Sequence, residues 1–250
     1  MFFRRKQRNA KPTFSARLAP DWPFFAIGDV HGREDLLIQV LAHMERHAPG
    51  TPHVFVGDYI DRGDHSAGVL ERLRRHQQTH SAEVICLRGN HEAMLLSFLD
   101  DPGMNGSRWL RYGGLQTLAS YQVVPPSPSS ARRGDWSRTR DALREAMGPE
   151  TEAWLRDLPL IWRNGNLAVV HAGTDPALPI DEQPEETLLW GHPDFGELAR
   201  QDETWVIHGH TIQEDITPAN GCIGIDTGAY ATGRLTTALV RPGTVDFFET

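Results

Sequence analysis

The stretch Phe24-Phe25-Ala26-Ile27-Gly28-Asp29-Val30-His31-Gly32 decides the fold, because four apolar residues run directly into a glycine, an aspartate and a histidine. A short apolar run ending in a glycine-containing polar block reads as a buried strand with a turn at its C-terminal end. Beyond it, Leu36, Leu37, Val40, Leu41 and Met44 recur at helical spacing, and Pro49 with Gly50 closes that helix before the next apolar run at 53–56. The plan then repeats. Val69, Leu70 and Leu73 mark a second helix, 83–87 a third strand, and 93–99 a helix that starts inside a third polar block. Strand, polar block, helix, strand is the βαβ rhythm of an α/β protein.

Outward from this half the texture changes. Residues 100–150 read as a helical and loop insertion: Trp109, Tyr112 and Leu115 have helical spacing, and Pro125, Pro126, Ser127, Pro128, Ser129 and Ser130 interrupt it. Residues 121–137 are expected to form a mobile loop. Strand-like runs return at 167–170, 205–207, 223–225, 235–240 and 245–248, without long helices between them, which predicts a second, antiparallel or mixed sheet. Residues 1–22 read as a basic flexible arm carrying Arg4, Arg5, Lys6, Arg8, Lys11 and Arg17, and residues 23–250 as a single domain.

Composition sets bounds. With 39% hydrophobic and 23% charged residues in 250, the chain is expected to bury a sizeable core without disulfides. Cys86 and Cys222 both sit in apolar runs and read as core residues, which fits a cytoplasmic location. A formal charge of −8 argues against nucleic acid as a partner, and no run is long enough to span a membrane.

Five polar blocks follow strand-like runs: Gly28 to Gly32, Gly57-Asp58-Tyr59-Ile60-Asp61-Arg62-Gly63, Gly89-Asn90-His91-Glu92, His171-Ala172-Gly173 and His208-Gly209-His210-Thr211. Each alone is ordinary turn chemistry. Together they place aspartate, asparagine and histidine side chains at strand ends, where α/β sheets bind ligands. Oxygen and imidazole donors without sulfur suit manganese, iron or zinc.

In this order the blocks resemble the phosphoprotein phosphatase branch of the calcineurin-like metallophosphoesterases. Trp109-Leu110-Arg111-Tyr112-Gly113-Gly114 and Ile225-Asp226-Thr227-Gly228-Ala229-Tyr230 extend the resemblance to the bacterial and bacteriophage lambda-type serine/threonine phosphatases. The resemblance implies a four-layer α/β/β/α sandwich with two mixed sheets and two divalent cations, Mn2+ being expected and Fe or Zn the alternatives. It implies that Asp29 and His31 bind the first ion, that Asp58 bridges, and that Asn90, His171 and His210 bind the second. A metal-bridging hydroxide would attack phosphorus directly, His91 would protonate the leaving group, Asp61 would orient His91, and Arg62 would hold the phosphate.

One departure stands out. Relatives carry a second phosphate-binding arginine shortly after Leu-Leu-Trp, and here Leu188-Leu189-Trp190-Gly191 is followed by His192. His192 and Tyr230 are therefore candidate substrate contacts, with Arg108, Arg111 or Arg200 able to compensate. Arg88, just before its block, reads as a structural partner for a carboxylate, and His208 as a hydrogen-bonded core residue. His43, His47, His53, His65, His76 and His80 are expected to be solvated. The expected activity is phosphomonoester hydrolysis on a phosphorylated protein or a small phosphoester. A symmetrical dinucleoside tetraphosphate hydrolase is the alternative, and a non-catalytic binding protein on the same fold a third reading. The oligomeric state is open.

Overall fold

The structure is a computed structural model that describes residues 14–126 and 133–250. Arg4, Arg5, Lys6, Arg8 and Lys11 and the proline-serine run at 127–130 lie outside the described residues.

Period-two alternation in the first strand already shows the layering. In β1 (Phe24–Ile27), Phe25 and Ile27 face one way, packing with Leu36, Leu37, Val40 and Met44 of α1 (Glu34–His47) and with Val69, Leu70 and Leu73 of α2 (Ser66–Thr79). Phe24 and Ala26 face the other way and meet Leu167 and Val169 of β5 (Leu167–Val170). The remaining β5 residues, Ala168 and Val170, pack outward against Leu188 of the short α8 (Glu185–Trp190). Three separate cores between successive faces make four layers, helices over sheet over sheet over helix.

The first sheet has the order β3-β2-β1-β8-β9, with β2 (His53–Phe55) and β3 (Val84–Cys86) parallel to β1, and β8 (Thr236–Arg241) and β9 (Thr244–Glu249) antiparallel. The second has the order β4-β5-β6-β7, with β4 (Ile161–Asn164) antiparallel and β6 (Trp205–His208) and β7 (Cys222–Gly224) parallel to β5. Both sheets are mixed. Contrary to the expectation from sequence, the late strands do not all build the second sheet. β8 and β9 return to the first and pair beside β1, which buries Ala238 and Val240 between the sheets.

The insertion is helical: α3 (Asn90–Asp100), α4 (Pro102–Trp109), a π-helical turn at Leu110–Gly114, α5 (Leu115–Ser120), α6 (Arg133–Met147) and α7 (Pro149–Asp157). Residues 133–137, expected within a mobile loop, are the first turn of α6, and Trp136 packs on Gly106 and Phe98. Residues 14–22 are not a loose arm. Asn166 and Asn164 side chains receive the backbone N–H groups of Ala19 and Asp21, and Phe14 packs edge-on against Trp205 at 5.0 Å. The last short helix, α9 (Ala229–Thr232), follows Gly228 in left-handed conformation. No helix among the described residues is long and apolar enough to cross a membrane.

Candidate metal centre

The blocks after β1, β2, β3, β5 and β6 meet at one end of the two sheets. Sharp turns aim their side chains there: His31, Asp58, Asp61, Arg62 and His210 have positive φ, between 44° and 70°, which costs non-glycine residues energy. Glycines supply the closest approaches. A Cβ on Gly209 would sit 1.9 Å from Asp29 Oδ1, and one on Gly57, at φ 111°, would strike the Gly89 backbone.

Asp58 lies in the middle. Its Oδ2 is 3.5 Å from His31 Nε2, and its Oδ1 is 3.4 Å from His171 Nε2, so the two oxygens of one carboxylate face two different groups of donors. His31, Asp58 and His91 form one cluster with ligand-type spacing, and Asp58, His171 and His210 form another. Asn90 Oδ1 completes the second, 2.9 Å from His171 Nε2 and 3.3 Å from His210 Nδ1. Asp29 reaches the same place, with Oδ2 accepting from His210 N at 3.0 Å and a buried Oδ1 that has no hydrogen-bond partner.

Backbone carbonyls fix the relevant tautomers. His31 Nδ1 is 2.7 Å from Ile60 O, and His171 Nδ1 is 3.1 Å from Val56 O, so each Nδ1 carries the hydrogen and each Nε2 presents a lone pair. Burial drives both imidazoles toward neutrality, His31 down to about 3 and His171 to about 4, despite attraction from Asp58. The outcome is lone pairs facing lone pairs. The carboxylates are crowded as well: burial first, then Asp226 and Asp58, push Asp29 well above its ordinary range, and burial raises Asp226 to about 6. Convergent acceptors and buried acids of one sign fit divalent cations, and the donor set is the hard oxygen and imidazole mixture of Mn, Fe or Zn.

That chemistry and fold match a known family. The calcineurin-like phosphoesterase profile matches residues 23–214. The chain belongs to this family. Among solved structures, this metallophosphoesterase resembles a putative diadenosine tetraphosphatase at TM-score 0.64 and 21% identity, covering 94% of this chain and 98% of that one. It also resembles a serine/threonine phosphatase from Saccharomyces cerevisiae similar to human PP5, at TM-score 0.56 and 19% identity, over 93% of this chain and 81% of that one. A cold-active protein-tyrosine phosphatase of a psychrophile Shewanella species matches at TM-score 0.58 and 20% identity, over 92% and 83%. At these identities the likeness is one of fold. A curated relative, the asymmetrical bis(5'-nucleosyl)-tetraphosphatase PrpE of Bacillus mycoides (strain KBAB4), is 37% identical over 28% of this chain. The match spans about a third of that relative, 35% of its length. The family is metal-dependent, and the clusters around Asp58 are its candidate ligands.

Beside Asp58, His91 Nδ1 is 2.7 Å from Asp61 Oδ2, and His91 Nε2 is 3.4 Å from Arg62 Nη2. Burial disfavours the His91 cation, but Asp58 and Asp61 outweigh it and raise its pKa. Tyr230 closes this side, its ring 4.8 Å from the Arg62 guanidinium carbon and 5.4 Å from the His31 ring. His192 is turned to Asp175, 3.7 Å from its carboxylate. Arg88 pairs with Glu185 at 2.9 Å, and His208 is a buried histidine with Nδ1 3.0 Å from Gly209 O, both as expected. His53 is the exception among the histidines read as solvated. It is buried, with Nδ1 3.3 Å from His76 Nε2, because the pleat puts it on the same face as Phe55.

Sequence reasoning missed the residues that hold these groups. Glu92 accepts the N–H groups of Asp58, Tyr59 and Gly89 at 2.8–2.9 Å and so clamps the loop that carries Asp58. Trp109 Nε1 donates to Asp61 Oδ2 at 3.0 Å, and Thr117 Oγ1 to Asp61 Oδ1 at 2.6 Å. Asp226 accepts from Gly228 N at 2.8 Å, and its charge helps to raise the pKa of Asp29. A motif-internal glutamate three residues from its cap signals the first; Trp109 and Asp226 stand in motifs that carry the resemblance without a role read for them, and nothing local signals Thr117.

Proposed function

We propose that the chain is a dinuclear metal-dependent phosphomonoesterase acting on phosphoserine or phosphothreonine in proteins. The observation that carries the reading is the set of acceptors gathered around Asp58 next to the His91–Asp61 pair and Arg62. Asp29, His31 and Asp58 would hold one cation, and Asp58, Asn90, His171 and His210 a second, with Mn2+ the proposed ion. Such cations offset phosphate charge and bring the pKa of bound water toward neutrality.

The chain's own groups supply the rest. Arg62 presents a planar fork to the phosphate oxygens, and its stacking on Tyr230 holds that fork in place. His91 keeps its Nδ1 hydrogen on Asp61 and delivers a proton from Nε2 to the departing serine or threonine oxygen. An alkoxide is a poor leaving group at neutral pH, so this proton transfer matters most for alkyl esters. The buried Asp61 fixes the ring and supports its charged form.

A second reading, dinucleoside tetraphosphate hydrolysis, is favoured by a cleft of about 360 Å³ beside the centre, lined by Met94, Asn105, Arg108, Glu186 and Trp190, with room beyond a single phosphate. Turnover of a phosphoserine and phosphothreonine peptide panel, compared with diadenosine tetraphosphate at equal Mn2+, decides between them. Peptide preference is expected, and preference for the dinucleotide overturns the first reading.

A further inference from the structure

We propose that the end of the molecule opposite the metal centre docks on an anionic lipid bilayer, through the cations and aromatic side chains of residues 1–22. This docking is independent of the phosphomonoesterase reading.

Charge is divided sharply along the chain. Residues 1–20 carry Arg4, Arg5, Lys6, Arg8, Lys11 and Arg17 and no acid, while all 33 acids lie beyond them, against the other 19 of the chain's 25 cations. Phe2 and Phe3 stand directly before the first cation. A cationic cluster next to apolar groups is what holds a peripheral protein on an anionic bilayer, because one such signal alone gives only marginal, reversible binding.

The described residues show where this stretch is fastened. Phe14 packs edge-on against Trp205, the first residue of β6, and its ring fills the space a Cβ on Gly221 would need. Leu18 O accepts from Gly243 N in the turn between β8 and β9, and Trp22 O accepts from Asn164 Nδ2 at the end of β4. β6 ends at His208, just before His210, and β1 runs from Phe24 toward Asp29. Residues 14–22 therefore lie at the strand ends farthest from the metal centre.

On that end Trp22 is 49% exposed, and Arg17, also exposed, is in no ion pair among the described residues. An indole suits the headgroup level of a bilayer, where its ring meets hydrocarbon and its N–H meets water. Asp21 is exposed beside it, and Glu203 borders the same end through the Asn166 side chain, so the attraction has to come from the cations of residues 1–20. Nucleic acid would attract those cations too. The acidic remainder of the chain opposes wrapping by a polyanion, whereas a flat surface meets one end only. Bound this way, the metal centre opens away from the bilayer, toward substrates in solution.

The test is sedimentation of the full chain with vesicles of phosphatidylcholine alone and of equimolar phosphatidylcholine and phosphatidylglycerol, with tryptophan fluorescence read on the same samples. The parent is expected to bind the anionic vesicles at least about tenfold more tightly than the neutral ones, and to be released as salt screens the charges. Replacing Arg4, Arg5, Lys6 and Arg8 together by Gln weakens binding at least about 10²-fold, near fivefold for each cation. Phe2→Ser with Phe3→Ser weakens it about tenfold and leaves the salt dependence in place. Trp22→Phe keeps most of the binding and loses the blue shift that anionic vesicles induce in the parent. Equal binding to both vesicle types, binding untouched by the Gln substitutions, or a blue shift that survives in Trp22→Phe overturns the proposal. So does capture of a short single-stranded oligonucleotide in preference to the vesicles, lost with the same Gln substitutions, which would assign these cations to nucleic acid.

Discussion

Asp61 Oδ2 lies 2.7 Å from His91 Nδ1, and the side chains of both residues are at most 1% exposed. In a site shielded this way the carboxylate fixes the tautomer, orients the ring and favours the imidazolium. Asp61→Asn keeps the shape and removes the charge. It is expected to lower kcat on phosphoserine peptides by about 10²–10⁴-fold, and far less on an aryl phosphate, whose leaving group needs little protonation. Asp61 raises the His91 pKa, so in the variant the alkaline limb of kcat is expected to move to lower pH. Equal losses on both substrates would remove His91 from the role of acid.

The insertion contributes to the same pair. Thr117 and Trp109 hold Asp61 from α5 and α4, so Thr117→Val leaves a buried carboxylate oxygen short of a donor. A stability loss of about 1–3 kcal/mol follows, together with a drop in kcat on alkyl esters. Denaturant unfolding and steady-state kinetics on Thr117→Val and Thr117→Ser, the second retaining the hydroxyl, separate lost positioning from general damage.

Glu92 reaches the metal centre through the backbone. Because its two oxygens collect three N–H groups around Asp58, Glu92→Gln is expected to loosen the loop that carries Asp58. Mn2+ affinity is expected to weaken about tenfold or more, while kcat at saturating Mn2+ stays close to that of the parent. A Mn2+ titration of activity and of intrinsic fluorescence reads both quantities.

Far from the centre, His53 makes stability depend on pH. Burial, then His76 and His80, lower it from 6.5 to about 4. The unfolded chain binds this proton near pH 6.5 and the folded chain only near pH 4, so stability is complete above 6.5 and is lost as pH falls between them. His53→Phe is expected to lose about 1–2 kcal/mol less than the parent between pH 7 and pH 5, read by chemical unfolding at both values. Parallel losses would place the acid sensitivity elsewhere.

The legible part of this molecule was the part written in local pattern. The apolar run Phe24–Ile27 and the glycine blocks after each strand give the α/β class and the polar strand ends, because turn chemistry is a property of neighbouring residues, while the four layers follow only from the family resemblance. The return of β8 and β9 to the first sheet is a choice of partner, which strand-like runs do not encode. The support of Asp61 is hidden for the same reason. Trp109 and Thr117 stand 48 and 56 residues away, and an indole or hydroxyl in a helical stretch reads as packing until the acid it serves is seen beside it. The burial of His53 follows from strand parity with Phe55, which its residue type alone does not reveal.

In the proposed function, Asp58 joins two cation sites into one catalytic centre. The most direct test is to measure metal content by elemental analysis, alongside phosphopeptide turnover, for the parent and Asp58→Asn after chelation and reloading with Mn2+. Expected are two Mn2+ per parent chain, turnover that chelation abolishes and Mn2+ restores, and an Asp58→Asn chain that holds fewer ions and turns over at least about 10³-fold more slowly. An Asp58→Asn chain that keeps both ions and the parent's turnover would contradict it.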